Sequence, residues 1–118
     1  MSHLPAALSV MDSLGFRYVT HAVWVKRGLL AKLQLGLGQY LRGSHELLLL
    51  GVRGNLPRPL VAPPSVFFAK RTRHSEKPAE AYRLIEQISP GPRVEFFARQ
   101  HRDGWTVTGN EIQEKVSE

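Results

Sequence analysis

Cysteine is absent from this sequence of 118 residues. That excludes a disulfide framework and any zinc site built on thiolates, and it fits a reducing, cytoplasmic compartment. Acidic residues are scarce: ten Asp and Glu stand against sixteen Lys and Arg, a formal charge of +6 with a pI near 10.2. Such a balance favours polyanionic partners, nucleic acid or an anionic surface, although a basic chain without such a partner has the same composition. Long hydrophobic runs are missing as well, with no uninterrupted apolar stretch longer than Leu47–Leu50. A bilayer requires roughly 18 to 20 such residues, so no membrane partner is expected. The beginning of the chain carries Pro5 and an amphipathic pattern instead of the uniformly apolar segment of a cleavable signal. The length permits one small domain, 1–118. It suffices for a core but is short for an α/β enzyme.

Leu4, Ala7, Leu8, Met11 and Leu14 recur at helical spacing, with Pro5 suited to a first turn and Gly15 to a stop, which predicts a helix over about Leu4 to Leu14. Phe16 to Lys26 is rich in β-branched and aromatic residues on both faces, the pattern of a strand inside a sheet covered on both sides. Arg27 to Ser44 mixes cations, glycines and leucines and reads as a loop, partly helical over Leu29 to Gln34. Its Gly36-Leu37-Gly38 lacks the third glycine of a phosphate-binding loop. His45 to Arg53 is a second buried strand, and Ser65 to Ala69 a third. Four prolines, Pro57, Pro59, Pro63 and Pro64, make the connection between them irregular. Ser75 and Pro78 suit the start of a helix whose Tyr82, Ile85 and Ile88 repeat at helical spacing, and Ser89 to Pro92 ends it.

Arg93 to Glu111 organises the remainder. Val94, Phe96 and Phe97 predict a short buried strand over Val94 to Ala98, followed by Arg99, Gln100, His101 and Arg102, a Gly104-Trp105 turn, and Gly109-Asn110-Glu111. Polar groups just past the carboxyl end of a buried strand are where open α/β sheets bind ligands, and an ordinary solvated loop has the same appearance. The order helix, strand, strand, short strand, helix, strand is α/β.

Four blocks taken together, Phe16 to Lys26 ending Trp-Val-Lys, His45-Glu46 leading into LLLLGVRG, Arg73 to Pro78 (RHSEKP), and Glu95 to Arg99 followed by Gly104-Trp105 and Gly109-Asn110-Glu111, resemble the carboxyl-terminal half of the METTL-type adenine-N(6) methyltransferases, the MT-A family. The resemblance runs from about His3 to Glu111 with order and spacing kept. It implies a partial Rossmann-like methyltransferase fold that uses S-adenosylmethionine and methylates the exocyclic amine of adenine in DNA or RNA. It also implies that Phe97, Arg99, His101, Asn110 and Glu111 contact the ribose and adenine of the cofactor. Asn and Glu offer the paired donors and acceptors that a ribose diol needs, and an aromatic ring or planar cation can cover adenine. His45 stands where members of the family carry a lysine near the methionine carboxylate of the cofactor, and a histidine is a weaker, pH-dependent partner there. Lys26 and the loop from Gly36 to Arg42, with Tyr40, match the region over the substrate base, where cations meet phosphates and a tyrosine can stack. Lys70, Arg71 and Arg73, in the densest positive run, are either further nucleic-acid contacts or a solvated charge run. Trp24 is either core or a stacking platform, and His74 and Ser75 either cap the helix or touch a ligand.

The departure from the family pattern is the absence of Asp-Pro-Pro-Trp, the signature that accepts the hydrogens of the adenine amine. Pro63-Pro64 follows Ala62 and does not replace it. An adenine amine is a poor nucleophile whose lone pair is delocalised into the ring, so without those acceptors the chain is expected to be inactive alone. It is expected to be an incomplete methyltransferase domain that pairs with its missing upstream half or another subunit. The strands that flank the signature would lie between Val94–Ala98 and Glu46–Val52, so unpaired sheet edges and self-association are expected. The alternative function is a non-catalytic nucleic-acid-binding partner subunit with a degenerate methyltransferase fold.

Overall fold

The computed structural model describes residues 3–28, 32–33, 35–70 and 77–109. The chain divides into two compact units, Met1–Ile88 and Ser89–Glu118, and each has its own sheet.

In the first unit α1 spans Leu4–Ser13, β1 Arg17–Arg27, β2 His45–Val52, β3 Val66–Lys70 and α2 Ala79–Ile88. β1 is the middle strand, antiparallel to β2 and parallel to β3. Helix α1 stops as its sequence predicts. Gly15 adopts a positive φ of 82°, its N–H donates to the Asp12 carbonyl at 2.9 Å, and the Phe16 N–H reaches back to the Met11 carbonyl at 3.0 Å. These two bonds are a Schellman closure, which satisfies carbonyls that the helix leaves open. The Met11 and Phe16 side chains brought together by that closure sit over Gly51 of β2. A β-carbon on Gly51 would lie 2.8 Å from the Met11 sulfur and 3.1 Å from the Phe16 Cβ. A glycine inside a strand is here a seat for the helix end.

The core of this unit gathers around Trp24, which is only 4% exposed, with Val52, Ala69, Ala81 and Tyr82 also buried. The Trp24 indole N–H donates to the Ala69 carbonyl at 3.1 Å across the parallel pair, so burial leaves no unmet polar group. Trp24 is therefore a core residue. The predicted cover on both faces of β1 is realised only around this residue. Tyr18 and Val19 remain exposed because β3 pairs only with Val23–Arg27. Among the described residues the earlier half of β1 has β2 as its sole strand partner, with a register shift between Tyr18 and Thr20. The outer edge of β2 carries no strand among the described residues.

Helix α2 begins after Pro78, whose carbonyl accepts from the Ala81 N–H at 3.0 Å. Ala81 and Tyr82 are its buried residues. Ser75, predicted to cap it, lies outside the described residues, as does most of the helical turn expected over Leu29 to Gln34.

The second unit contains β4 (Arg93–Glu95) and β5 (Trp105–Val107), which pair in parallel with Arg93 opposite Trp105 and Glu95 opposite Val107. The strand predicted over Val94 to Ala98 is thus shorter than expected, and Phe96 and Phe97 are exposed instead of buried. The cause lies in the backbone: Phe97 adopts φ 58°, which no strand accommodates. The ladder then resumes, as the Thr108 N–H donates to the Glu95 carbonyl at 3.0 Å and the Ala98 N–H to the Thr108 carbonyl at 2.7 Å. Phe96 and Phe97 are therefore looped out between two bonds to one residue of the neighbouring segment. β5 did not figure in the predicted order, although Thr106-Val107-Thr108 is β-favouring.

Candidate cofactor and nucleic-acid sites

Phe97, Arg99 and His101 fall on one segment of the second unit, the loop that leaves β4 and returns to β5. Phe97 is 88% exposed, Arg99 is half-buried and His101 is exposed. A phenylalanine at positive φ costs about 1–2 kcal/mol in backbone terms. Such conformations persist only where the surroundings over-determine them. Here they do, because the loop is fixed at both ends. Ala98 and Glu95 are tied to Thr108, and at the far side Gly104 turns at φ 82° while the Trp105 N–H closes onto the Arg102 carbonyl at 3.1 Å. An exposed aromatic ring, a guanidinium and an imidazole carried on a pinned loop can cover a planar heterocycle and meet hydroxyl groups. Asn110 and Glu111, predicted partners of this set, lie outside the described residues. His45 belongs to the first unit, exposed at the start of β2 and opposite Val25.

Of the predicted nucleic-acid residues, Lys26 and Lys70 stand at one end of the sheet of the first unit. In register, Lys26 pairs with Ala69 and Arg27 with Lys70 at the carboxyl ends of two parallel strands, the end at which α/β sheets receive ligands. The loop that follows is shaped by backbone bonds. Gly28 N–H donates to the Lys32 carbonyl at 2.7 Å, Gly36 N–H to the Gly43 carbonyl at 2.7 Å, and Lys26 N–H to the Ser44 carbonyl at 2.9 Å. Arg42 Nε donates to the Gly36 carbonyl at 3.4 Å, so the guanidinium helps close the loop that carries Tyr40. Tyr40 itself is 97% exposed and presents a ring on which a base can stack. Lys70 is exposed. Arg71 and Arg73 lie outside the described residues.

Lys26 is engaged within the protein. Its Nζ lies 3.1 Å from Glu46 Oε1 and 5.3 Å from the centre of the Trp24 ring. An ammonium with these two neighbours is partly neutralised, so it contributes less to phosphate attraction than an isolated one. Glu46 was not a predicted site residue. It became visible only with the register that sets Trp24 opposite it. Arg27 was likewise passed over. Its guanidinium lies 4.4 Å over the Phe68 ring, and a cation closing a strand before a glycine-rich loop is the sequence signal that could have marked it. Among the described residues no group of three or more His, Asp or Glu is placed to hold a metal ion, and no helix is long and apolar enough to cross a membrane.

The sequence model of the family described as MT-A70 matches residues 3–111. An N(6)-adenosine-methyltransferase MT-A70-like protein of Arabidopsis thaliana is 34% identical over 107 residues, covering 86% of this chain and 16% of that protein. An N(6)-adenosine-methyltransferase MT-A70-like protein of Drosophila melanogaster is 35% identical over 106 residues, covering 83% and 17%. The human N(6)-adenosine-methyltransferase catalytic subunit METTL3 is 34% identical over 106 residues, covering 83% and 18%. The chain thus spans less than a fifth of the length of these curated relatives.

Proposed function

This chain belongs to the MT-A70 family, and from that premise we propose that it is the cofactor-binding part of an S-adenosylmethionine-dependent adenine-N(6) methyltransferase of RNA or DNA. The observation that carries the reading is the coincidence of the family match over residues 3–111 with a pinned loop that presents Phe97, Arg99 and His101. The donor set suits the group: a ring and a guanidinium for adenine, with the imidazole and, by family resemblance, Asn110 and Glu111 for the ribose diol. S-adenosylmethionine, when bound, supplies an electrophilic methyl on a sulfonium. The residues of this chain bind and orient it. At the sheet end of the first unit, Arg27, Arg42 and Lys70 attract phosphates and Tyr40 stacks a base. No residue of the chain takes the place of the Asp-Pro-Pro-Trp acceptors, so methyl transfer requires them from another polypeptide segment.

The test is calorimetric titration of S-adenosylmethionine into the wild-type chain, Arg99→Ala and Asn110→Ala, with and without a segment carrying Asp-Pro-Pro-Trp supplied in trans. One wall of a pocket leaves the ligand hydrated, so the chain alone binds weakly and the added segment tightens binding. Each substitution then weakens the complemented affinity by roughly ten-fold or more, the loss of a desolvated hydrogen bond. Unchanged affinity in both variants contradicts the assignment. The cationic sheet end favours a second reading, a nucleic-acid-binding partner subunit. It is selected if nucleic acid binds with a steep salt dependence while the cofactor never binds.

A further inference from the structure

We propose that Gly109 is a positioning residue of the cofactor loop, acting through the backbone of Ala98 to hold Phe97 outward; the inference rests on the cofactor reading above. A β-carbon at position 109 would lie 2.8 Å from the Ala98 nitrogen and 3.0 Å from its carbonyl carbon, and nearer still to the carbonyl oxygen. All three are backbone atoms, which cannot swing aside as a side-chain terminus does. The glycine is required by contact and not by dihedral angle, since its φ is outside the left-handed range in which Gly15, Gly54, Gly91 and Gly104 lie. Gly54 is the converse case, with φ 79° and nothing within 4 Å of an added β-carbon.

The close approach at Gly109 has a consequence two residues before Arg99. The segment after β5 comes near enough for the Ala98 N–H to donate to the Thr108 carbonyl at 2.7 Å while Thr108 N–H holds the Glu95 carbonyl at 3.0 Å. With Glu95 and Ala98 both anchored to Thr108, the two residues between them must bulge, and Phe97 takes φ 58° with its ring 88% exposed. A methyl at 109 pushes the segment away from Ala98 and removes the first anchor. Phe97 then relaxes toward the extended conformation that its side chain prefers, and Arg99 moves with it. Gly109 thus selects the presentation of the adenosine-covering residues without touching the ligand.

The experiment uses the 15N-labelled 118-residue chain, titrated with S-adenosylmethionine and separately with adenosine up to millimolar concentration, in wild type, Gly109→Ala and Gly54→Ala. Hydrogen exchange of the Ala98 and Thr108 amides is measured in each. The expected result is that Gly109→Ala weakens both ligands by a similar factor, roughly ten-fold or more, because the loop faces the portion they share. It also accelerates exchange at Ala98 and Thr108. Gly54→Ala, a left-handed glycine of the first unit, lowers the melting temperature with no such loss of affinity. If Gly109→Ala fails to fold, Phe97→Val, whose β-branched side chain resists positive φ, reproduces the loss of protection at Ala98 and of binding. Phe97→Asn, which tolerates positive φ, retains the protection. Wild-type affinity in Gly109→Ala overturns the positioning role and leaves the cofactor reading standing, as does equal loss in Gly54→Ala at equal stability. Absence of binding to the wild type overturns both.

Discussion

Trp24 and Phe97 arise from similar sequence, an aromatic residue inside an apolar run that alternation assigns to a buried strand, and the two units treat them in opposite ways. Around Trp24 the sheet has a strand on each side, and the indole is buried with its N–H on the Ala69 carbonyl. Around Phe97 the ladder is interrupted by two bonds to one residue, Thr108, and the ring is turned to solvent. The difference shows that burial of an aromatic is decided by which backbone partners bracket it, not by its own hydrophobicity. A large exposed aromatic held out by the backbone is then a candidate for recognition, whereas the buried one is explained by packing.

That contrast can be broken most forcefully at Trp24. Trp24→Ala removes a ring that is 4% exposed and its hydrogen bond to the Ala69 carbonyl, so the first unit loses about 3–5 kcal/mol in urea unfolding followed by circular dichroism. A change near zero would mean that the indole is not the centre of that core. Gly51→Val comes next. The Met11 chain can give way but the Phe16 Cβ, 3.1 Å from the added atom, is fixed by the helix closure, and overpacking of this kind costs about 1–3 kcal/mol. An unperturbed melting curve would show that α1 does not rest on β2 as described.

Phe97→Gly sharpens the comparison from the other side. It relieves about 1–2 kcal/mol of left-handed strain and adds a similar amount of unfolded-chain entropy, so stability changes by less than about 1 kcal/mol while cofactor binding falls. A loss as large as that of Trp24→Ala would show that Phe97 is packed. Glu46→Gln has the smallest expected effect. Its pair with Lys26 is half exposed on the carboxylate side and is worth under about 1 kcal/mol, yet removing it frees the ammonium. Nucleic-acid affinity therefore rises slightly and its salt dependence steepens.

What was legible in the sequence follows the same division. α1, β1, β2 and β3 fall within one residue of their predicted bounds and α2 ends at Ile88 as predicted, although it starts only after Pro78, because periodicity 3.6 or 2 over many residues, with Gly15 as punctuation, leaves few alternatives. Phe97, Arg99 and His101 are candidate site residues by family resemblance, and they share one loop. The exposure of Phe96 and Phe97 was not legible, since nothing in RVEFFAR announces the sign of φ at Phe97. That sign is set by Thr108 and Gly109, more than ten residues away. The partnership of Lys26 with Glu46 was equally hidden, because it depends on the register of β1 against β2. Long-range pairing is what local pattern cannot supply.

In the proposed function the Phe97–His101 loop, and not the sheet of the first unit, receives the adenosine portion of the cofactor. The most direct measurement is amide shift mapping of the wild-type chain with S-adenosylmethionine. The expected perturbations are concentrated at Phe97 to Arg102 and at Thr108 to Glu111. Perturbations confined to β1 and β2, with the Ala98 and Thr108 amides unmoved at saturating ligand, would contradict this reading.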